Sequence, residues 1–150
     1  MPPKRIKRYT GRYAFVDDIP YQMPVSARNS PALMAGFSCD REKANALLPG
    51  NEIHALKLPN GKATLLITVI NYVDTSIGKY IEYSIAIGCT HGSRPAPRFL
   101  NAMMMKTFGT GQYIFDLPVS TEISVEGGKG IWGMPKHVAN LDFKISDQIQ

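Results

Sequence analysis

A chain of 150 residues is long enough for one domain around a single core. With 44% hydrophobic and 19% charged residues it reads as globular rather than disordered, and its best apolar run, Ala63–Val73, is broken by Thr64, Thr68 and Asn71 well short of the roughly 18 residues a membrane helix needs. The net charge of +5 is local: Lys4, Arg5, Lys7, Arg8 and Arg12 precede the first acid, while the other 12 basic residues match the 12 acidic ones, so the folded part has no basic face for nucleic acid.

Residues 1–22 read as a basic, extended N-terminal segment and residues 23–150 as the domain. The run Pro3–Arg8 fits a solvated terminus, with a nucleic-acid contact or an address signal as the alternative. No hydrophobic segment follows it, so it does not read as a secretory leader. Cys39 and Cys89 lie in apolar stretches without metal spacing and read as buried thiols of a reducing, cytoplasmic setting. His54, His91 and His137 are scattered, which predicts no metal.

Gly11–Pro31 is rich in Pro, Gly and polar residues and predicts an extended lead-in. Leu33–Cys39 is an apolar strand. Asp40 is placed to cap a helix over Arg41–Leu48, which Pro49-Gly50 stops. Ile53–Leu58 and Ala63–Tyr72 read as two strands joined by Asn60-Gly61, a strong hairpin-turn signal. Tyr80–Cys89 alternates: Ile81, Tyr83, Ile85 and Ile87 on one face, Glu82, Ser84, Ala86 and Gly88 on the other, so Glu82 shares a small, polar face able to line a cavity. A short helix is predicted over Pro97–Phe108 with Phe99, Leu100, Met103 and Met104 as its apolar side, then a strand over Tyr113–Leu117. One or two helical turns follow over Ser120–Gly127, capped by Ser120, and a last strand over His137–Ile145. These elements predict an α+β fold, mainly antiparallel β with short helices.

The most informative stretch is Glu126–His137. Gly128-x-Gly130-x-x-Gly133 fits a dinucleotide fingerprint, but that motif needs a helix after it, and Met134-Pro135 followed by an alternating segment does not supply one. A chemical reading takes Lys136 in a turn fixed by Pro135, beside the large apolar Trp132 and Met134. Removing hydration from an amine disfavours its charged form, and a neutral amine is the nucleophile that attacks a ketone to give a Schiff base. The bland alternative is a snorkelling lysine at a strand end.

Trp132-Gly133-Met134-Pro135-Lys136, preceded by Leu117–Glu122, resembles the core signature of the acetoacetate decarboxylase family, as does Gly78-Lys79-Tyr80-Ile81-Glu82 upstream. The similarity covers most of Met23–Phe143. It implies a partial β-barrel or cone, no cofactor, a small keto-acid substrate, Lys136 as the Schiff-base nucleophile and Glu82 as an active-site carboxylate. Trp132, Met134, His137 and Arg28 are the residues expected to line the pocket. The chain departs from the family at three points. His137 stands where the decarboxylase has a second lysine that repels the first one's proton. Ser30 stands where an arginine is found, with Arg28 two residues away, and Thr68 stands where a further glutamate falls.

The resemblance therefore implies decarboxylation of acetoacetate or a related β-keto acid. The alternatives are aldol, dehydration or cyclisation chemistry through the same imine, or a non-catalytic small-molecule-binding relative. Family domains continue past this lysine and close the cone, so the domain is expected to be incomplete at its C-terminus. An open edge along Val138–Ile145 would expose unpaired N–H and C=O groups, which points to a homo-oligomer.

Overall fold

The computed structural model describes residues 11–97 and 104–144. The basic run at residues 3–8, residues 98–103 of the expected helix, and Ile145 lie outside the described residues.

Ten strands and two short helices are found among the described residues: β1 Tyr13–Val16, β2 Ile19–Gln22, β3 Ala27–Asn29, β4 Ala32–Cys39, α1 Arg41–Ala46, β5 Ile53–Ala55, β6 Ala63–Tyr72, β7 Asp74–Thr75, β8 Tyr80–His91, β9 Gly111–Val119, α2 Glu122–Trp132 and β10 Lys136–Val138. The main sheet has the order β10-β9-β8-β6-β4, with β5 also paired to β8; β1-β2 and β3-β7 are two-stranded antiparallel ribbons. The fold is mainly antiparallel β with short helices, and among the described residues the sheet does not close into a barrel.

The chain divides into two compact units. One is built from the described parts of Met1–Ala32, Val69–Tyr83 and Pro118–Gln150, the other from Leu33–Thr68 and Ser84–Leu117. The second unit holds an apolar cluster of Ala44, Leu48, Ala55, Ala63, Ile87 and Cys89, with Ile53, Tyr113 and Phe115 packed against it. Its helix α1 begins as the sequence predicts: the Asp40 carboxylate accepts from Lys43 N–H at 2.9 Å, filling one of the free donors of the first turn.

Several expectations need correction. The Asn60-Gly61 turn forms, with Gly61 at φ 84° and Leu58 N–H bonded to Lys62 O at 2.8 Å, but it does not join a hairpin. Both edges of β6 are taken by β8 and β4, so β5 pairs with β8 in the register Ile53↔His91 and Ala55↔Cys89. In the described part of the helix expected over Pro97–Phe108, residues 97 and 104 have no regular structure and residues 105–108 belong to a turn. The last strand is short. Ala139 N–H donates to the carbonyl of Val119, the final residue of β9, and residues 139–144 form no regular element.

The lead-in is not merely extended. Val16 and Ile19 pair across Asp17-Asp18, whose φ of 46° and 65° are those of a two-residue hairpin turn matched to strand twist. Aspartate tolerates this left-handed region better than most residues but less well than glycine, so Asp-Asp is a weaker version of the Asp-Gly signal. The ribbon matters to the first unit because Tyr21, 1% exposed, donates its hydroxyl to Ile123 O at 2.9 Å and so ties β2 to α2.

Candidate active site

The glycine-rich stretch is helix, not loop. α2 runs from Glu122 through Gly127, Gly128 and Gly130 to Trp132, with Thr121 at its N-cap. Ser120, the expected cap, instead accepts from Ile81 N–H at 2.8 Å and fastens the end of β9 to β8. Each helical glycine costs about 1 kcal/mol relative to alanine, so packing must favour the missing Cβ. It does. A Cβ on Gly127 would stand 2.6 Å from the Tyr21 ring, one on Gly130 would stand 2.5 Å from Val16, and one on Gly128 would overlap the side chain of Lys136.

The helix ends at Gly133, which adopts φ 64° and bonds Lys129 O through its N–H at 3.0 Å, the left-handed termination that glycine allows without strain. Lys136 N–H then returns to Met134 O at 2.8 Å across Pro135, a three-residue turn that suits proline's fixed φ. Gly-Met-Pro-Lys therefore carries the chain off the helix and sends the lysine back beneath it.

Lys136 is 8% exposed. Its Nζ lies 2.7 Å from Glu82 Oε2, donates to Ser124 Oγ at 3.0 Å, and sits 5.3 Å from the centroid of the Tyr80 ring. Tyr80 and Glu82 share one face of β8, as the alternation predicts, while Ser124 comes from the first turn of α2. The Tyr72 ring stacks on Tyr80 with centroids 4.3 Å apart. All of these residues belong to the first unit.

Burial pushes the Tyr80 phenol well above its ordinary value, with the charges of Tyr72 and Glu82 adding to it and the Ser124 hydrogen bond opposing it. Burial and Glu82 raise Tyr72 as well. A phenol with a raised value holds its proton more tightly folded than unfolded. Its contribution to stability is therefore complete below the unfolded value of ~10 and is lost as pH rises beyond it. The unfolding free energy should fall with pH above about 10, and Tyr80→Phe should make that fall shallower; urea titrations across this range check both.

The other sequence candidates lie elsewhere. Trp132 and Met134, expected to cover the amine, are 49% and 36% exposed; the apolar surfaces at Lys136 are the Tyr80 ring and the glycine of α2. His137 follows Lys136 in β10, so its side chain leaves the opposite face, and the residue is exposed. Arg28, on β3, pairs with Asp74 of β7 at 3.3 Å, both exposed. Ser124 and Tyr72 went unmarked in the sequence. Tyr80 could have been found, since it alternates with Glu82; Ser124, twelve residues from Lys136 on another element, left no such signal. Among the described residues no three His, Cys, Asp or Glu side chains gather as a metal site would need. Among them too, no helix is long and apolar enough to cross a membrane.

The family model for acetoacetate decarboxylase (ADC) matches residues 6–150. The chain belongs to the acetoacetate decarboxylase family. No curated protein matches it. Among solved structures, the crystal structure of acetoacetate decarboxylase from Legionella pneumophila subsp. pneumophila is similar with a TM-score of 0.66 and 16% sequence identity, over 98% of this chain and 47% of that one. At this identity the likeness is one of fold, and the chain spans about half the length of that decarboxylase.

Proposed function

We propose that this member of the acetoacetate decarboxylase family is a Schiff-base-forming lyase for a small β-keto acid, with Lys136 as nucleophile. The observation that carries the reading is the buried Lys136 amine held 2.7 Å from the Glu82 carboxylate. Glu82 is the nearest base to the ammonium and takes its proton. The neutral amine attacks the ketone carbon, the carbinolamine loses water, and a protonated imine results. The bond to the carboxylate carbon then breaks, its electron pair passes into the imine to form an enamine, and CO₂ leaves. Protonation of the enamine carbon and hydrolysis return the ketone and the free lysine. No step requires a cofactor.

Replacement of the family's second lysine by His137 favours a second reading, in which the same imine serves aldol, dehydration or cyclisation chemistry. Carboxyl-labelled acetoacetate separates the two. The first reading predicts labelled CO₂ from the wild type and none above background from Lys136→Ala. Equal release from both proteins would overturn it, and consumption of a keto acid without CO₂ would establish the second.

A further inference from the structure

We propose that Ser124 is a positioning residue that fixes the Lys136 amine for attack on a carbonyl, a role that rests on the reading of Lys136 as nucleophile. Burial and hydrogen-bond geometry carry it. Ser124 is 1% exposed, so its hydroxyl has no water to turn to, and it accepts from Lys136 Nζ at 3.0 Å. A serine hydroxyl has one hydrogen and two acceptor lone pairs. The lysine ammonium can only donate, so Ser124 Oγ meets it with a lone pair.

The amine therefore has two fixed polar partners on two elements: Glu82 on β8 and Ser124 on α2. Once Glu82 has taken one proton, two N–H bonds and a lone pair remain on Nζ. An N–H anchored on Ser124 restricts rotation about the Cε–Nζ bond and confines the lone pair to a narrow range of directions. Without that anchor the same lone pair is spread over all rotations. Orientation of reacting groups is worth large factors, about a hundredfold for a misplacement near 1 Å.

The test reads the amine without requiring a keto-acid site. Formaldehyde with cyanoborohydride methylates lysines through an imine, and peptide mapping gives the rate at Lys136 relative to the exposed Lys129 in the same molecule. Ser124→Ala should slow Lys136 by about tenfold to a hundredfold at an unchanged melting temperature. Ser124→Thr, which keeps the hydroxyl, should restore most of the rate. An unchanged Lys136 rate in Ser124→Ala would overturn the proposal, as would a Ser124→Thr protein that melts normally and reacts as slowly as the alanine variant. Parallel capture of acetoacetate with borohydride keeps the two ideas apart. Normal formaldehyde ratios with no acetoacetate adduct in the wild type would sink the lyase reading and leave the role of Ser124 standing.

Discussion

Lys136→Met should lower the unfolding free energy by about 3–5 kcal/mol, the usual cost of removing one partner from a buried ion pair. Lys136 and Glu82 side chains are only 10% and 13% exposed, so solvent cannot take over the charge of the carboxylate that is left behind. The cost is the stranded Glu82, not the loss of lysine packing, because methionine replaces most of the aliphatic stem. Adding Glu82→Gln to Lys136→Met should therefore return a large part of the loss, since a neutral amide is far cheaper to bury than an unpaired carboxylate. Urea denaturation of the wild type, both single variants and the double variant checks this as a cycle. A loss below about 1 kcal/mol in Lys136→Met would mean that the pair is screened as a surface pair is. Arg28–Asp74 provides that comparison in the same protein, and Arg28→Ala should cost under about 1 kcal/mol.

Gly128→Ala should damage both stability and the site, although alanine is the better helix former by about 1 kcal/mol. The added Cβ would overlap Lys136 Cδ and stand 2.9 Å from Cε and 3.1 Å from Cγ. A free lysine stem would swing aside at little cost, but this one is anchored at Nζ by Glu82 and Ser124 and at its backbone by β10. Either the helix rides up or the amine leaves its partners. The net destabilisation should be about 1–3 kcal/mol, the range for overpacking, and carbonyl capture at Lys136 should fall about a hundredfold. Gly130→Ala is the control. Its Cβ would meet Val16 at 2.5 Å, so it should cost similar stability while leaving Lys136 chemistry close to normal. Equal loss of capture in both variants would mean that Gly128 acts through the helix as a whole.

The parts of this molecule that were legible in its sequence are those where one short segment decides the outcome. Asp40 ahead of a short helix, the turn at Asn60-Gly61, and the alternation that places Tyr80 and Glu82 on one face are all local. Lys136 and Glu82 stood out through two short motifs, and they lie together. What was not legible depends on partners distant in the chain. The helical turns expected over Ser120–Gly127 continue through Gly128 and Gly130 to Trp132, against helix propensity; the proximity of Tyr21, Lys136 and Val16 to the three glycines is what favours the missing Cβ atoms. Trp132 and Met134 looked like the cover of the lysine because they are its sequence neighbours, yet the left-handed Gly133 and the Pro135 turn leave both at the surface. The asymmetry of Ser120 and Ser124 has the same origin. Ser120 was expected to cap a helix and is instead claimed by Ile81 N–H, whereas Ser124 sits inside the helix and meets the amine of a strand residue twelve positions on.

The central claim is that the Lys136 amine forms a covalent imine with a keto acid. Borohydride reduction of the folded protein in the presence of acetoacetate, followed by peptide mapping, tests it directly. The account predicts substrate-derived mass on the peptide that contains Lys136, loss of that label in Lys136→Ala, and strong reduction of it in Gly128→Ala. An unmodified Lys136 in protein shown to be folded, or label confined to exposed lysines such as Lys129, would contradict it.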